Sequence, residues 1–197
     1  MTKTLYLMRH GQTLFNKRHR IQGWCDAPLT DLGVYQAQVA GQYFKNAGIT
    51  FDAAYSSTSE RACDTLEIVT NGSLPYQRVK GLKEWNFGTF EGESEDLNPP
   101  LPYEDFFVTY GGESQDQVRE RMAATILQLM QETKGKSVLM VSHGGAMANF
   151  ARAWEDNWRL DNLGHMTNCG ILKFSFEADQ FYLEEAIGHD FSGWEEK

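Results

Sequence analysis

Strand-like and helix-like stretches alternate along the chain, and no other feature narrows the fold as much. Such alternation builds βαβ units around a mostly parallel sheet. The first strand signal lies near residues 4–9, with Leu5 and Leu7 alternating around Tyr6. Thr30 is a candidate N-cap for a helix striped by Leu32, Tyr35, Val39 and Tyr43 that stops at Gly48. A short strand at 53–56 leads to a helix capped by Thr58 or Ser59, striped by Ala62, Leu66 and Val69, and halted at Asn71-Gly72. Residues 75–79 suit an edge strand. Val118, Met122, Thr125, Ile126 and Leu129 mark a further helix closed by Gly135. Residues 138–142 form a buried strand signal, and Met147, Phe150, Ala151 and Trp154 stripe the helix after it. Two late strands, 171–176 and 182–187, are expected to meet at a tight turn near 178–180.

The 197 residues suit one domain, residues 1–197, with a core that needs no staples. Residues 91–116 combine Pro, Gly, aromatics and eight acids without a Lys or Arg, and are expected to form a lid-like insertion over the site. Cys25, Cys63 and Cys169 are widely spaced and odd in number, so neither a disulfide framework nor a zinc ribbon is indicated. Arg9 and His10 interrupt the apolar stretch nearest the N-terminus, so no signal peptide is expected, and the three cysteines suit small buried apolar places in a reducing cytoplasm. No apolar run reaches the ~20 residues of a membrane helix. A net charge of −9 argues against a nucleic-acid partner. Residues 1–20 nevertheless carry Lys3, Arg9, Lys17, Arg18 and Arg20 and no acid, so a small anion can be drawn there by local focusing.

The first strand signal ends in Arg9-His10-Gly11. A cation and an imidazole at a strand's carboxyl end occupy the usual ligand position of an open α/β sheet. A fixed imidazole beside a guanidinium can attack an electrophile that carries negative charge, and phosphorus in a phosphate ester is the obvious one. Three further groupings follow in order: Ser-Ser-Thr-Ser-Glu-Arg-Ala at 56–62, Glu84 before Phe-Gly-Thr-Phe-Glu-Gly at 87–92, and a strand signal ending in Ser142-His143-Gly144-Gly145. Together these motifs resemble the histidine phosphatase superfamily, the phosphoglycerate mutase-like proteins, across residues 5–145. The resemblance implies a three-layer α/β/α sandwich whose mostly parallel central sheet is flanked by helices.

It also implies roles. His10 would be the nucleophile that forms a phosphohistidine, Arg9 and Arg61 would grip phosphate oxygens, and His143 would complete the pocket. Asn16 would donate a further hydrogen bond, while Gln22, Gly23 and Gly144 would line the substrate site. Glu84 would protonate the leaving alcohol and later serve as base toward water. Local spacing points the same way at three places. Gly144-Gly145 opens a helix whose N-terminus is a natural anion site, Gly11 lets backbone approach a ligand, and Arg61 opposes the dipole in the first turn of its helix. Bland alternatives exist for Glu84 as a solvated carboxylate and for Asn16 as a turn or cap residue. His19, His165 and His189 fit no motif and suit surface or structural places. No His and carboxylate cluster has metal-ligand spacing, so chemistry without metal or cofactor is expected.

Mutases of this family take basic residues from an insertion after the Glu motif. Here no Lys or Arg occurs between Lys83 and Arg119, and the insertion offers Tyr103, Phe106, Phe107 and Tyr110 among acids. Those aromatics suit either a small apolar anchor for the loop or a lid favouring an uncharged or aromatic leaving group. A phosphatase acting on a small phosphorylated metabolite is therefore expected. The alternatives are a cofactor-dependent phosphoglycerate mutase and, in another class, a non-catalytic binder of phospho-ligands. The oligomeric state is not legible.

Overall fold

The computed structural model describes residues 2–164 and 166–195. One six-stranded sheet runs through its centre in the order β3-β2-β4-β1-β5-β6. The strands are β1 (Lys3–Arg9), β2 (Ala53–Ser57), β3 (Gln77–Val79), β4 (Ser137–Ser142), β5 (Ile171–Glu177) and β6 (Gln180–Ile187). The pairings among β3, β2, β4 and β1 are parallel, whereas β5 and β6 are added antiparallel at one edge. The β5–β6 turn uses Ala178 and Asp179 at φ of 50° and 60°, the left-handed pair that suits a tight hairpin.

The helices are α1 (Leu14–Lys17), α2 (Asp31–Asn46), α3 (Glu60–Val69), α4 (Gln115–Glu132) and α5 (Gly144–Arg152). Alternation along β1 sorts them into two layers. Leu5 and Leu7 face Met122, Ile126, Met147 and Phe150 of α4 and α5, while Tyr6 and Met8 face Ala37, Phe44, Ala62 and Leu66 of α2 and α3. The result is a three-layer α/β/α sandwich with helices on both faces.

Two local readings need correction. The expected stripe of α2 was Leu32, Tyr35, Val39 and Tyr43, but the buried face is Gly33, Gln36, Ala37, Ala40 and Phe44. Small residues win because the helix lies close to backbone: a Cβ on Gly33 would stand 2.0 Å from the Gln12 carbonyl oxygen. The bulky residues flank that contact instead of filling it. Gly11 belongs to the same approach, since a Cβ there would meet the Gly33 oxygen at 2.5 Å. Its missing side chain therefore serves helix packing. Thr30 caps α2 as expected, accepting from Gly33 N. Ser59 occupies the cap position of α3 without a side-chain cap bond, and the Asp26 carboxylate takes the Glu60 N–H instead at 2.6 Å.

Residues 91–116 contain short 3₁₀ turns at Glu95–Leu97 and Phe106–Tyr110. Phe107 is fully buried among the rings of Trp85, Phe87, Phe90, Tyr103 and Phe106, with ring centroids 4.8 to 6.2 Å apart. Each such pair adds about 0.5–1.5 kcal/mol beyond its area, so the segment has its own apolar anchor. Its first residues are stitched to the basic loop by Ile21 N to Glu93 O at 2.8 Å, Gly92 N to Ile21 O at 2.9 Å and Glu95 N to His19 O at 2.9 Å.

Candidate active site

The parallel register of β1 and β4 sets Arg9 beside Ser142, so His10 and His143 leave the sheet side by side. Their ring centroids are 5.2 Å apart. His10 is 4% exposed, and its Nδ1 lies 2.7 Å from the Gly11 carbonyl oxygen. A carbonyl can only accept, so Nδ1 carries the proton and Nε2 is the bare nitrogen. Arg61 Nε donates to the lone pair of that Nε2 at 3.3 Å, a long hydrogen bond. His143 shares a 2.8 Å hydrogen bond through Nε2 with Ser57 Oγ, at the end of β2, and its buried Nδ1 has no partner in the protein. Burial, reinforced by Arg61 and Arg9, holds His10 well below the usual imidazole range, and burial with Arg61 and His10 does the same for His143. Both rings are therefore neutral.

Arg61 is fully buried on α3. Its Nη1 donates to Cys25 O at 2.9 Å and Asp26 Oδ1 at 2.8 Å, and its Nη2 to Gly23 O at 2.8 Å. Much of the fork thus holds the 23–26 loop, while Nε donates to His10. Arg9 donates from Nη1 to Met166 O at 2.6 Å, and its buried Nε has no partner in the protein. Gln22 accepts the Thr13 hydroxyl at 2.6 Å through Oε1, which leaves its buried Nε2 unpaired. Asn16 is both a cap residue and a wall residue. It completes a capping box with Thr13, its Oδ1 accepts from Thr13 N and Asn168 Nδ2, and it lines the pocket.

Glu84 has a different setting from the one its motif suggested. Its Oε1 accepts from Trp85 N at 2.8 Å and Ala146 N at 2.7 Å, and its Oε2 from Gly145 N at 2.9 Å. The α5 N-terminus, expected to hold a ligand anion, is thus engaged by the protein's own carboxylate. Gly145 makes this possible, because a Cβ there would crowd Glu84 Oε1 at 2.9 Å. The solvated alternative for Glu84 does not hold, since the residue is 8% exposed.

These groups meet in a cavity of about 630 Å³. Arg9, His10, Asn16, Gln22, Glu84 and Gly144 line it, whereas Arg61 and His143 lie beneath His10, wholly buried. Gly23 is set back from the cavity, its N–H on Glu91 Oε2 and its carbonyl on Arg61. Several contributors were not legible beforehand. Arg152 and Asn149 of α5 line the cavity, and Glu91 accepts the backbone N–H groups of Gly23, Trp24, Cys25 and Phe87 at 2.7 to 3.1 Å. Glu91 is the acid of the Phe-Gly-x-x-Glu-Gly motif, which was the available signal. His19 pairs with Glu95 at 3.5 Å and His189 packs on Tyr43, while His165 lies outside the described residues.

The two neutral histidines predict a pH effect with a definite sign. In the unfolded chain they take up protons near pH 6.5, whereas in the fold they resist protonation. Below about pH 6.5 the unfolded state binds more protons, so stability falls as pH drops, and above it this pair contributes no slope. The urea midpoint is expected to decline between about pH 6.5 and 5, and less steeply in His10→Ala. Equal slopes for the two proteins would contradict the neutral assignment of His10.

A family model described as the histidine phosphatase superfamily (branch 1) matches residues 5–187. The chain is 28% identical to a 2,3-bisphosphoglycerate-dependent phosphoglycerate mutase of Allorhizobium ampelinum, over 98% of this chain and 99% of that one. The crystal structure of a phosphoglycerate mutase from Bacillus anthracis aligns with a TM-score of 0.81 at 28% identity, covering 93% and 92% of the two chains. A phosphoserine phosphatase from Entamoeba histolytica, in complex with 3-phosphoglyceric acid, aligns with a TM-score of 0.75 at 28% identity, covering 95% and 98%. No helix among the described residues is long and apolar enough to cross a membrane.

Proposed function

The chain belongs to the histidine phosphatase superfamily, and on that premise we propose that it is a phosphomonoester hydrolase acting through a phosphohistidine on His10, without a metal. The observation that carries this reading is the meeting of a neutral Nε2 on His10 with two buried, unpartnered donors, Arg9 Nε and Gln22 Nε2, in the pocket that also holds Glu84. Unpaired buried donors cost roughly 1–3 kcal/mol each, and phosphoryl oxygens are acceptors that relieve this.

In the proposed cycle Nε2 of His10 attacks phosphorus, and the bond from phosphorus to the ester oxygen breaks. Arg9 and Arg61 offset the charge on the transferring group. Glu84 gives its proton to the departing oxygen. Its Oε2 accepts one backbone bond where Oε1 accepts two, so Oε2 is the oxygen with room to carry that proton. Water then attacks the phosphohistidine, Glu84 takes the water's proton, and the nitrogen–phosphorus bond breaks to release phosphate and His10.

The walls above this floor suit an uncharged or aromatic leaving group. Leu101, Pro102, Tyr103, Trp85 and Met166 line the cavity. Leu101 is 77% exposed, an apolar surface that a substrate can cover. The charge argument for hydrolysis is narrower than composition suggested, because Glu91 and Glu113 are engaged within the protein and Glu95 is the acid of 91–116 at the cavity. Arg20 and Arg152 also line it and favour a second reading, a mutase that holds a doubly anionic substrate. Supplying 3-phosphoglycerate with catalytic 2,3-bisphosphoglycerate, with and without chelator, separates the two. Free phosphate is expected to exceed isomerised product, with no effect of the chelator. Rapid isomerisation with little phosphate would overturn the hydrolase reading. A cytoplasmic location belongs to the same proposal, resting on the cysteine usage.

A further inference from the structure

We propose that Arg121 is a positioning residue for Glu84, acting through the backbone on both sides of it. The inference rests on the reading of Glu84 as proton donor. Arg121 stands on α4, 37 residues beyond Glu84 in the chain. All five N–H donors of its guanidinium are engaged on one segment and one carboxylate. Nη1 donates to Gly81 O at 2.9 Å and Lys83 O at 2.8 Å, and Nη2 to Glu84 O at 3.1 Å. Nε and Nη2 close a bidentate pair with Glu113 at 2.7 and 2.8 Å.

Glu113 extends the clamp past Glu84. Its Oε2 accepts Asn86 N at 3.0 Å, its carbonyl accepts Trp85 Nε1 at 2.6 Å, and its N–H donates to Asn86 O at 2.8 Å. Residues 81–84 are therefore pinned by the guanidinium, and residues 85 and 86 by its carboxylate partner. Trp24 Nε1 adds a second donor to the Glu84 carbonyl at 3.0 Å. Residues 83–87 have no regular secondary structure of their own to fix these carbonyls. The planar fork suits the task, whereas an ammonium has three donors and no fixed plane.

The Glu84 carboxylate must reach both the α5 N-terminus and a departing oxygen, and a misplacement of about 1 Å can cost on the order of 10² in rate. Arg121 holds that placement without lining the cavity. Its ion pair is about four-fifths buried, with side-chain exposures of 19% and 18%, so it persists at high salt.

The test measures kcat and KM of wild type, Arg121→Lys, Glu84→Gln and the double variant on glycerol 1-phosphate and p-nitrophenyl phosphate. Arg121→Lys is expected to lower kcat on glycerol 1-phosphate on the order of 10- to 100-fold, with KM little changed. The loss on p-nitrophenyl phosphate, whose leaving group needs little protonation, should be about tenfold smaller. In the Glu84→Gln background the change at Arg121 should add no further loss on glycerol 1-phosphate. Equal losses on both substrates, or additive losses in the double variant, would reduce Arg121 to a stability role and overturn the inference. Should Arg121→Lys not fold, Glu113→Gln, which breaks the bidentate pair, is judged by the same criteria. If Glu84→Gln itself shows no leaving-group dependence, the acid role of Glu84 falls, and this inference with it. If Glu84→Gln behaves as expected and the Arg121 and Glu113 variants do not, only the positioning inference falls.

Discussion

Replacing His10 with alanine is expected to end turnover, lowering kcat by roughly 10⁴-fold or more, the scale of losing a covalent nucleophile. Among the described residues the geometry leaves no understudy. His143, the neighbouring imidazole, has its Nε2 engaged by Ser57 and is fully buried beneath His10. Arg61 and Arg9 remain in the variant, so phosphate esters should still bind. Brief reaction of wild type with a labelled phosphomonoester, quenched by denaturant, should leave an acid-labile, base-stable phosphate on His10 that the variant lacks. Turnover that survives in His10→Ala would remove the covalent mechanism altogether.

Glu84→Gln is expected to show the second largest effect, a loss on the order of 10²–10⁴ on alkyl phosphates. The amide is nearly isosteric, so the change tests proton transfer more than shape. One cost in ground-state contacts is unavoidable. Three backbone N–H groups aim at the carboxylate, and an amide nitrogen in either place opposes a donor to a donor. That cost is common to all substrates, whereas the protonation deficit is not. The loss should therefore shrink, without vanishing, on p-nitrophenyl phosphate. The same loss on both esters would leave Glu84 with a binding or shaping role alone.

Much of the candidate pocket's floor was legible because it sits where local pattern and topology coincide. Arg9 and His10 end an apolar strand run, and so does His143, and parallel pairing brings those ends together. Thr30 and the Ala178–Asp179 turn follow the same logic of local backbone chemistry. Long-range polar contacts were not legible. Asp26 caps α3 across 34 residues, Glu91 gathers N–H groups 66 to 68 residues away, and Arg121 reaches back 37 to 40 residues to three carbonyls. No periodicity records a side chain that satisfies distant backbone. The face of α2 was misread for a related reason: hydrophobic size marks a core stripe only where the helix stands off from its neighbour, and here contact with backbone demands Gly and Ala.

The order of the strands also governs when in the life of the chain this site can exist. β1 and β2 are not hydrogen-bonded to each other, because β4 lies between them and pairs with both. As the chain leaves a ribosome, His10, the proposed nucleophile, emerges among the first residues, about 130 positions ahead of His143 and its strand. Until β4 threads into the middle of the sheet, residues 1–136 hold Arg9, His10, Arg61 and Glu84 with no strand to align them. Such non-local closure is slow compared with helix formation. The proposed site can therefore be complete only once the central strand has entered, and a chain truncated before it carries the proposed residues without the pocket.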